Sequence, residues 1–121
     1  MDLFATICEA AGARPKAGID GVSLLPEMAR RAQRTIQRDL VWMRREGGLE
    51  FAGRDFYALR RGDWKLLQNT AFQPYELFDL ANDPGETRNL AKAQPKVYRE
   101  LVAALILHVQ RAGRVPWQQP A

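Results

Sequence analysis

The run from Pro95 to Gly113 constrains the fold more than any other part of the chain. Proline pre-sets the first turn of a helix, and glycine stops one by accepting a left-handed backbone. Between them Val97, Leu101, Leu105 and Val109 recur every four residues, with Tyr98, Val102 and Ile106 beside them. Lys96, Arg99, Glu100, Gln110 and Arg111 occupy the other side. This is the pattern of an amphipathic helix lying on an apolar surface. An isolated helix of this length is marginal in water, so the remaining sequence has to supply a second layer.

That layer is legible upstream as strands. Leu40-Val41-Trp42-Met43 is rich in branched and aromatic residues and runs toward the turn signal Gly47-Gly48. Phe56 to Arg61 and Trp64 to Leu67 are separated only by Gly62-Asp63, the spacing of a two-residue β-hairpin. Tyr75 to Leu80 forms a fourth run and ends at Asn82-Asp83-Pro84-Gly85. Pro84 and Gly85 suit the centre of a type II turn, which requires a positive φ at the glycine. The expected fold is α+β: a small antiparallel sheet of about four strands, with the C-terminal amphipathic helix packed on one face and a short N-terminal helix.

The N-terminal helix is expected over Asp2 to Ala11, capped by Asp2 and stopped by Gly12. Leu3, Phe4, Ile7, Cys8 and Ala11 give it an apolar side with no obvious partner. A loop marked by Pro15, Gly18 and Asp20-Gly21 follows, then a short helical stretch after Ser23. Three regions are therefore expected: 1–38 as helix, loop and connector, 39–113 as the α+β unit, and 114–121 as an irregular tail.

At 121 residues the chain holds about one domain. Its 46% hydrophobic and 26% charged content is that of a globular protein rather than a disordered one. A single cysteine excludes an internal disulfide framework, and a single histidine excludes a multi-imidazole site. The longest apolar run, Leu101 to Leu107, is far shorter than the ~20 residues that span a bilayer. Met1-Asp2 opens without the basic and apolar regions of a signal peptide. No membrane partner is expected; the compartment stays open, since a longer parent protein is free to be exported.

The net charge of +4 is unevenly placed. Arg30, Arg31, Arg34, Arg38, Arg44 and Arg45 fall in a stretch whose only acid is Asp39. Such a stripe suits an anionic partner, or it is a solvated connector. No specific nucleic-acid partner is expected. Within it Trp42-Met43-Arg44-Arg45 is the candidate substrate-binding segment: an aromatic face beside guanidinium groups stacks on a sugar and pairs with a sulfate or carboxylate. Strand alternation sends Arg44 and Arg45 to opposite faces, so one of the two faces a ligand.

No complete catalytic set emerges. Ser23 lacks the final glycine of a nucleophile elbow, and His108 fits an ordinary helix-surface position. Cys8 sits on an apolar helix side rather than in an electropositive setting. Asp79, Asp83 and Glu86 lack the spacing of a calcium loop.

Four segments in order resemble the C-terminal part of the sulfatase family, the alkaline-phosphatase-like sulfuric ester hydrolases. They are Met1-Asp2-Leu3-Phe4-Ala5-Thr6-Ile7 with Ala10-Ala11-Gly12; Ile19-Asp20-Gly21-Val22-Ser23-Leu24-Leu25-Pro26; Ala58 to Leu67; and Tyr75-Glu76-Leu77-Phe78-Asp79-Leu80 leading through Asn82-Asp83-Pro84-Gly85-Glu86-Thr87 to Asn89-Leu90-Ala91. Ala5 stands where relatives commonly have proline. The resemblance implies a C-terminal α+β subdomain that completes the fold and borders the substrate cleft. It also implies a partner, the N-terminal sulfatase catalytic domain, with a calcium ion and a formylglycine matured from Cys/Ser-x-Pro-x-Arg. That motif is not in these 121 residues: Cys8-Glu9-Ala10-Ala11-Gly12 has neither its proline nor its arginine.

The expectation is thus a sulfatase C-terminal fragment, inactive alone, with no cofactor of its own and Met1 standing at a boundary just before a core helix. Trp42, Arg44 and Arg45 are its expected substrate contacts, with a sulfated or anionic sugar as ligand. The alternative is a freestanding binding module for polyanions, or an oligomerising one that pairs through the N-terminal helix.

Overall fold

The computed structural model describes residues 1–15, 17–29, 38–45, 55–70 and 72–112, without the side chains of Arg45 and Asp55. Arg30, Arg31 and Arg34, the Gly47-Gly48 turn signal and the 114–121 tail lie outside the described residues. The chain divides into two compact units, Met1–Ile36 and Gln37–Ala121.

In the first unit α1 spans Asp2–Ala10 and α2 spans Leu25–Met28. Asp2 does not cap α1 as expected; it lies inside the first turn, and its carboxylate accepts the Val22 backbone N–H at 3.2 Å. Met1 takes the N-cap position without a side-chain cap bond, and the Asp2 carboxylate ties the following loop instead. Gly12 does end the helix, at φ +68, with its N–H on the Glu9 carbonyl and the Ala13 N–H on that of Cys8. These two bonds are the Schellman arrangement that satisfies the last carbonyls of a helix. Thr6 fastens the loop from below: its hydroxyl donates to the Asp2 carbonyl and accepts the Leu24 N–H. Gly21 is required by close approach, since a Cβ there would lie 2.5 Å from the Met1 carbonyl oxygen.

In the second unit β1 (Asp39–Arg45), β2 (Asp55–Arg61), β3 (Trp64–Gln68) and β4 (Glu76–Asp79) form one antiparallel sheet in sequential order. α3 (Pro95–Ala112) lies on one face. The Gly62-Asp63 hairpin has positive φ only at Gly62, the II′ form whose twist matches paired strands. Leu59, Leu66 and Leu77 are aligned across three strands and, with Leu101 and Leu105 of α3, form the fully buried core. Ile106, expected beside the apolar stripe, is 46% exposed, because the sheet is too narrow to cover that flank of the helix.

The turn at Pro84-Gly85 differs from the type II expectation. Gly85 has no positive φ; Glu86 takes it instead, at +54. The Asp83 carboxylate accepts the backbone N–H groups of Thr87 and Arg88, both at 2.8 Å, and draws the chain back after a turn closed from Glu86 N–H to the Asp83 carbonyl. Lys65 holds the carboxylate of Glu86 in its left-handed position.

Candidate functional site

Alternation along β1 to β3 gives the sheet a second face, away from the core leucines. Three cross-strand rows build it: Arg44 opposite Phe56, then Trp42–Ala58–Leu67, then Leu40–Arg60–Lys65. Trp42 is 53% exposed although strand tryptophans are usually core, because nothing among the described residues of its unit covers this part of the face. The Arg44 guanidinium lies 6.0 Å from the centre of the Phe56 ring, at the outer reach of a cation–π contact. Trp42 and Arg44, two residues apart, therefore share this face. Arg45 pairs in register with Asp55, and its side chain lies outside the described residues.

Trp42, Ala58, Arg60, Lys65, Leu67 and Glu86 line a depression of about 370 Å³ on this face. Arg60 anchors its Nε on the Gly62 carbonyl at 2.9 Å. Lys65 Nζ donates to both oxygens of Glu86, at 2.6 and 2.7 Å, within a partly buried ion pair. Sequence reasoning picked out Trp42 but missed Arg60, Lys65 and Glu86. The signal was available: continuing the Trp42 row across a two-residue hairpin at Arg61↔Trp64 brings Ala58, Leu67, Arg60 and Lys65 beside it.

Asp79, Asn82, Asp83, Thr87 and Arg88, on either side of the Pro84-Gly85 turn, line a larger depression of about 420 Å³, yet its carboxylates are engaged internally. Asp79 accepts the Ala81 N–H and the Asn82 side-chain amide. Asp83 accepts two backbone N–H groups and the Thr87 hydroxyl, and these bonds, Arg88 N–H first, hold its carboxyl below the usual carboxylate range. Asn89 accepts the N–H groups of Leu77 and Ala91, covering part of the open edge of β4. With these donors turned inward and Glu86 on Lys65, Asp79, Asp83 and Glu86 do not fit a calcium ion. Among the described residues no group of three or more metal-binding side chains comes together.

The Ser23 hydroxyl accepts the Leu25 N–H at 3.2 Å. Cys8 is half-buried on α1, and His108 is exposed on α3. Arg61 makes a bidentate pair with Asp39 at 2.6 Å, which raises its already high pKa.

The α+β sheet-and-helix unit and the ordered motif loop after β4 are the architecture of a sulfatase C-terminal region. Residues 1–113 match the family described as N-sulphoglucosamine sulphohydrolase, C-terminal, and the chain belongs to it. It is 29% identical over 103 residues to arylsulfatase K of Danio rerio and 30% identical over 106 residues to that of Bos taurus. Each match covers 84% of this chain and 20% of the relative. A solved 2-O GAG sulfatase superposes with a TM-score of 0.75 at 28% identity, over 93% of this chain and 25% of that one. The chain thus spans about a fifth of the length of the curated relatives it matches. No described helix is long and apolar enough to cross a membrane.

Proposed function

We propose that this chain acts as the C-terminal subdomain of a sulfuric ester hydrolase, completing the fold of the whole enzyme and bordering its substrate cleft. Residues 39–113 form the subdomain, and residues 1–38 belong to the edge of the catalytic domain. The supporting observation is the open sheet face, where Trp42 and Arg44 stand together on a fold that belongs to the family. An exposed indole stacks on a sugar ring, and a guanidinium matches the geometry of a sulfate ester. Strand alternation sends Arg45 to the other face, so Trp42 and Arg44 carry the proposed contact. The substrate is a sulfated sugar, the class suggested by the 2-O GAG sulfatase of similar fold.

The chain's natural partner is the N-terminal catalytic domain of the same enzyme. Leu3, Phe4 and Ile7 on α1 are 74%, 57% and 66% exposed, an apolar side suited to burial against such a domain. Calcium and formylglycine, implied for full-length sulfatases by the resemblance, are assigned to that domain; together they supply the nucleophile and the sulfate-binding cation. This chain's own residues orient the sugar and balance its charge.

An aryl sulfate hydrolysis assay on the 121-residue chain tests the reading. The expected result is no turnover above buffer; turnover abolished by Cys8→Ala overturns it. Sedimentation of the same preparation separates the alternative, since a stable dimer lost on Phe4→Asp would assign the α1 side to a second copy.

A further inference from the structure

The open face has a shape as well as a charge. Trp42, Ala58 and Leu67 are direct cross-strand neighbours in one row. Trp42 and Leu67 are therefore two inter-strand spacings apart, about 9.6 Å, with only a methyl group between them. The result is a trough with an indole wall, an aliphatic wall and an alanine floor. The next row places Arg60 and Lys65 along its end.

Arg60 is built for an anion. Its Nε is fixed on the Gly62 carbonyl, which orients the guanidinium, and among the described residues its two terminal amino groups have no hydrogen-bond partner. Two parallel N–H groups on a planar fork take two oxygens of a sulfate. Lys65 differs: both Glu86 oxygens already neutralise it. The pair presents a carboxylate edge and an ammonium at the trough's end, suited to sugar hydroxyls rather than to a second sulfate.

We infer that the Trp42–Ala58–Leu67 trough is a subsite for one sulfated pyranose ring, with the ring against Trp42, the sulfate on Arg60 and a hydroxyl on the Lys65–Glu86 pair. This rests on the open face being the substrate-facing side, and it adds a committed occupant, a specificity residue in Arg60 and a size limit in Ala58.

The trough can be tested without removing charge. Ala58→Ile fills the floor with a residue that strands prefer, so the sheet keeps its stability while the space disappears. Arg60→Gln removes the clamp and leaves the trough open. The probes are a sulfated heparin disaccharide and its desulfated counterpart, titrated into the 15N-labelled chain while the Trp42 indole N–H signal is followed; a thermal melt confirms that each variant is folded.

Ala58→Ile is expected to weaken saturation by both disaccharides at least tenfold. Arg60→Gln should weaken the sulfated one about tenfold, the effect of one lost charge-assisted pair of hydrogen bonds, and bring it level with the desulfated one. Wild-type binding by folded Ala58→Ile overturns the trough. If Trp42→Ala still weakens binding in that case, the open face stays the substrate-facing side; if Trp42→Ala also binds normally, both readings fall. Equal binding of the two disaccharides by the unaltered chain overturns the role of Arg60.

Discussion

The two faces of one small sheet are built on opposite principles. On the helix side Leu59, Leu66 and Leu77 have no exposed surface and meet Leu101 and Leu105, each 1% exposed. On the other side the same strands present Trp42, Arg44, Arg60 and Lys65, the last paired with Glu86 from the turn after β4, and all of these but Arg44 line an open depression. The first face is apolar, filled and closed; it holds the unit together. The second keeps polar groups beside exposed aromatic surface, which adds little to stability and leaves groups available to a ligand. A domain with so small a core has to commit one whole face to it, which leaves the proposed sugar contact to the face that remains.

Substitutions on the closed face should move stability and nothing else. Leu66→Ala leaves a cavity at the centre of the five-leucine cluster and is expected to cost about 2–5 kcal/mol, read as a lower urea midpoint at unchanged slope. A cost under about 1 kcal/mol would mean that the leucine cluster is not the core. Asn89→Ala comes next. It deprives the Leu77 and Ala91 N–H groups of their acceptor, an expected loss of about 1–2 kcal/mol from two hydrogen bonds. Hydrogen exchange at Leu77 should quicken in step, and unchanged exchange would show that β4 does not depend on Asn89.

The smallest effect is a pH dependence in the turn that joins β4 toward α3. The Asp83 carboxyl is held below its ordinary value of 3.8 by the Arg88 and Thr87 N–H groups. A depressed carboxyl stabilises the fold fully above its unfolded value and loses that contribution as pH falls through the lower, folded one. Melts recorded from pH 5 downward should fall more steeply for the unaltered chain than for Asp83→Asn. Parallel curves would show that the turn does not depend on that charge.

What could be read from sequence follows the range of the forces involved. α3, the four strands and the Gly62 hairpin are encoded by local periodicity and turn chemistry, and the expected fold matches the observed one on these elements. Asp2 and the Pro84-Gly85 turn were misread because distant partners decide them: Val22 takes the Asp2 carboxylate, and Lys65 holds Glu86 at a positive φ. The family motif Asn82-Asp83-Pro84-Gly85-Glu86-Thr87 is conspicuous in sequence, yet its side chains act as local hydrogen-bond partners. The open face was only half legible. Trp42 and Arg44 stand out within one strand, whereas Arg60, Lys65 and Ala58 join them only through cross-strand register, which no single segment contains.

The division of labour between the faces is tested most directly by measuring stability and sugar binding on one Trp42→Ala preparation. The expected result is an unfolding free energy within about 0.5 kcal/mol of the unaltered chain, as for an exposed side chain, together with at least tenfold weaker binding of a sulfated disaccharide. Normal binding accompanied by a loss of several kcal/mol would contradict it, since Trp42 would then belong to the core and the open face would recognise nothing.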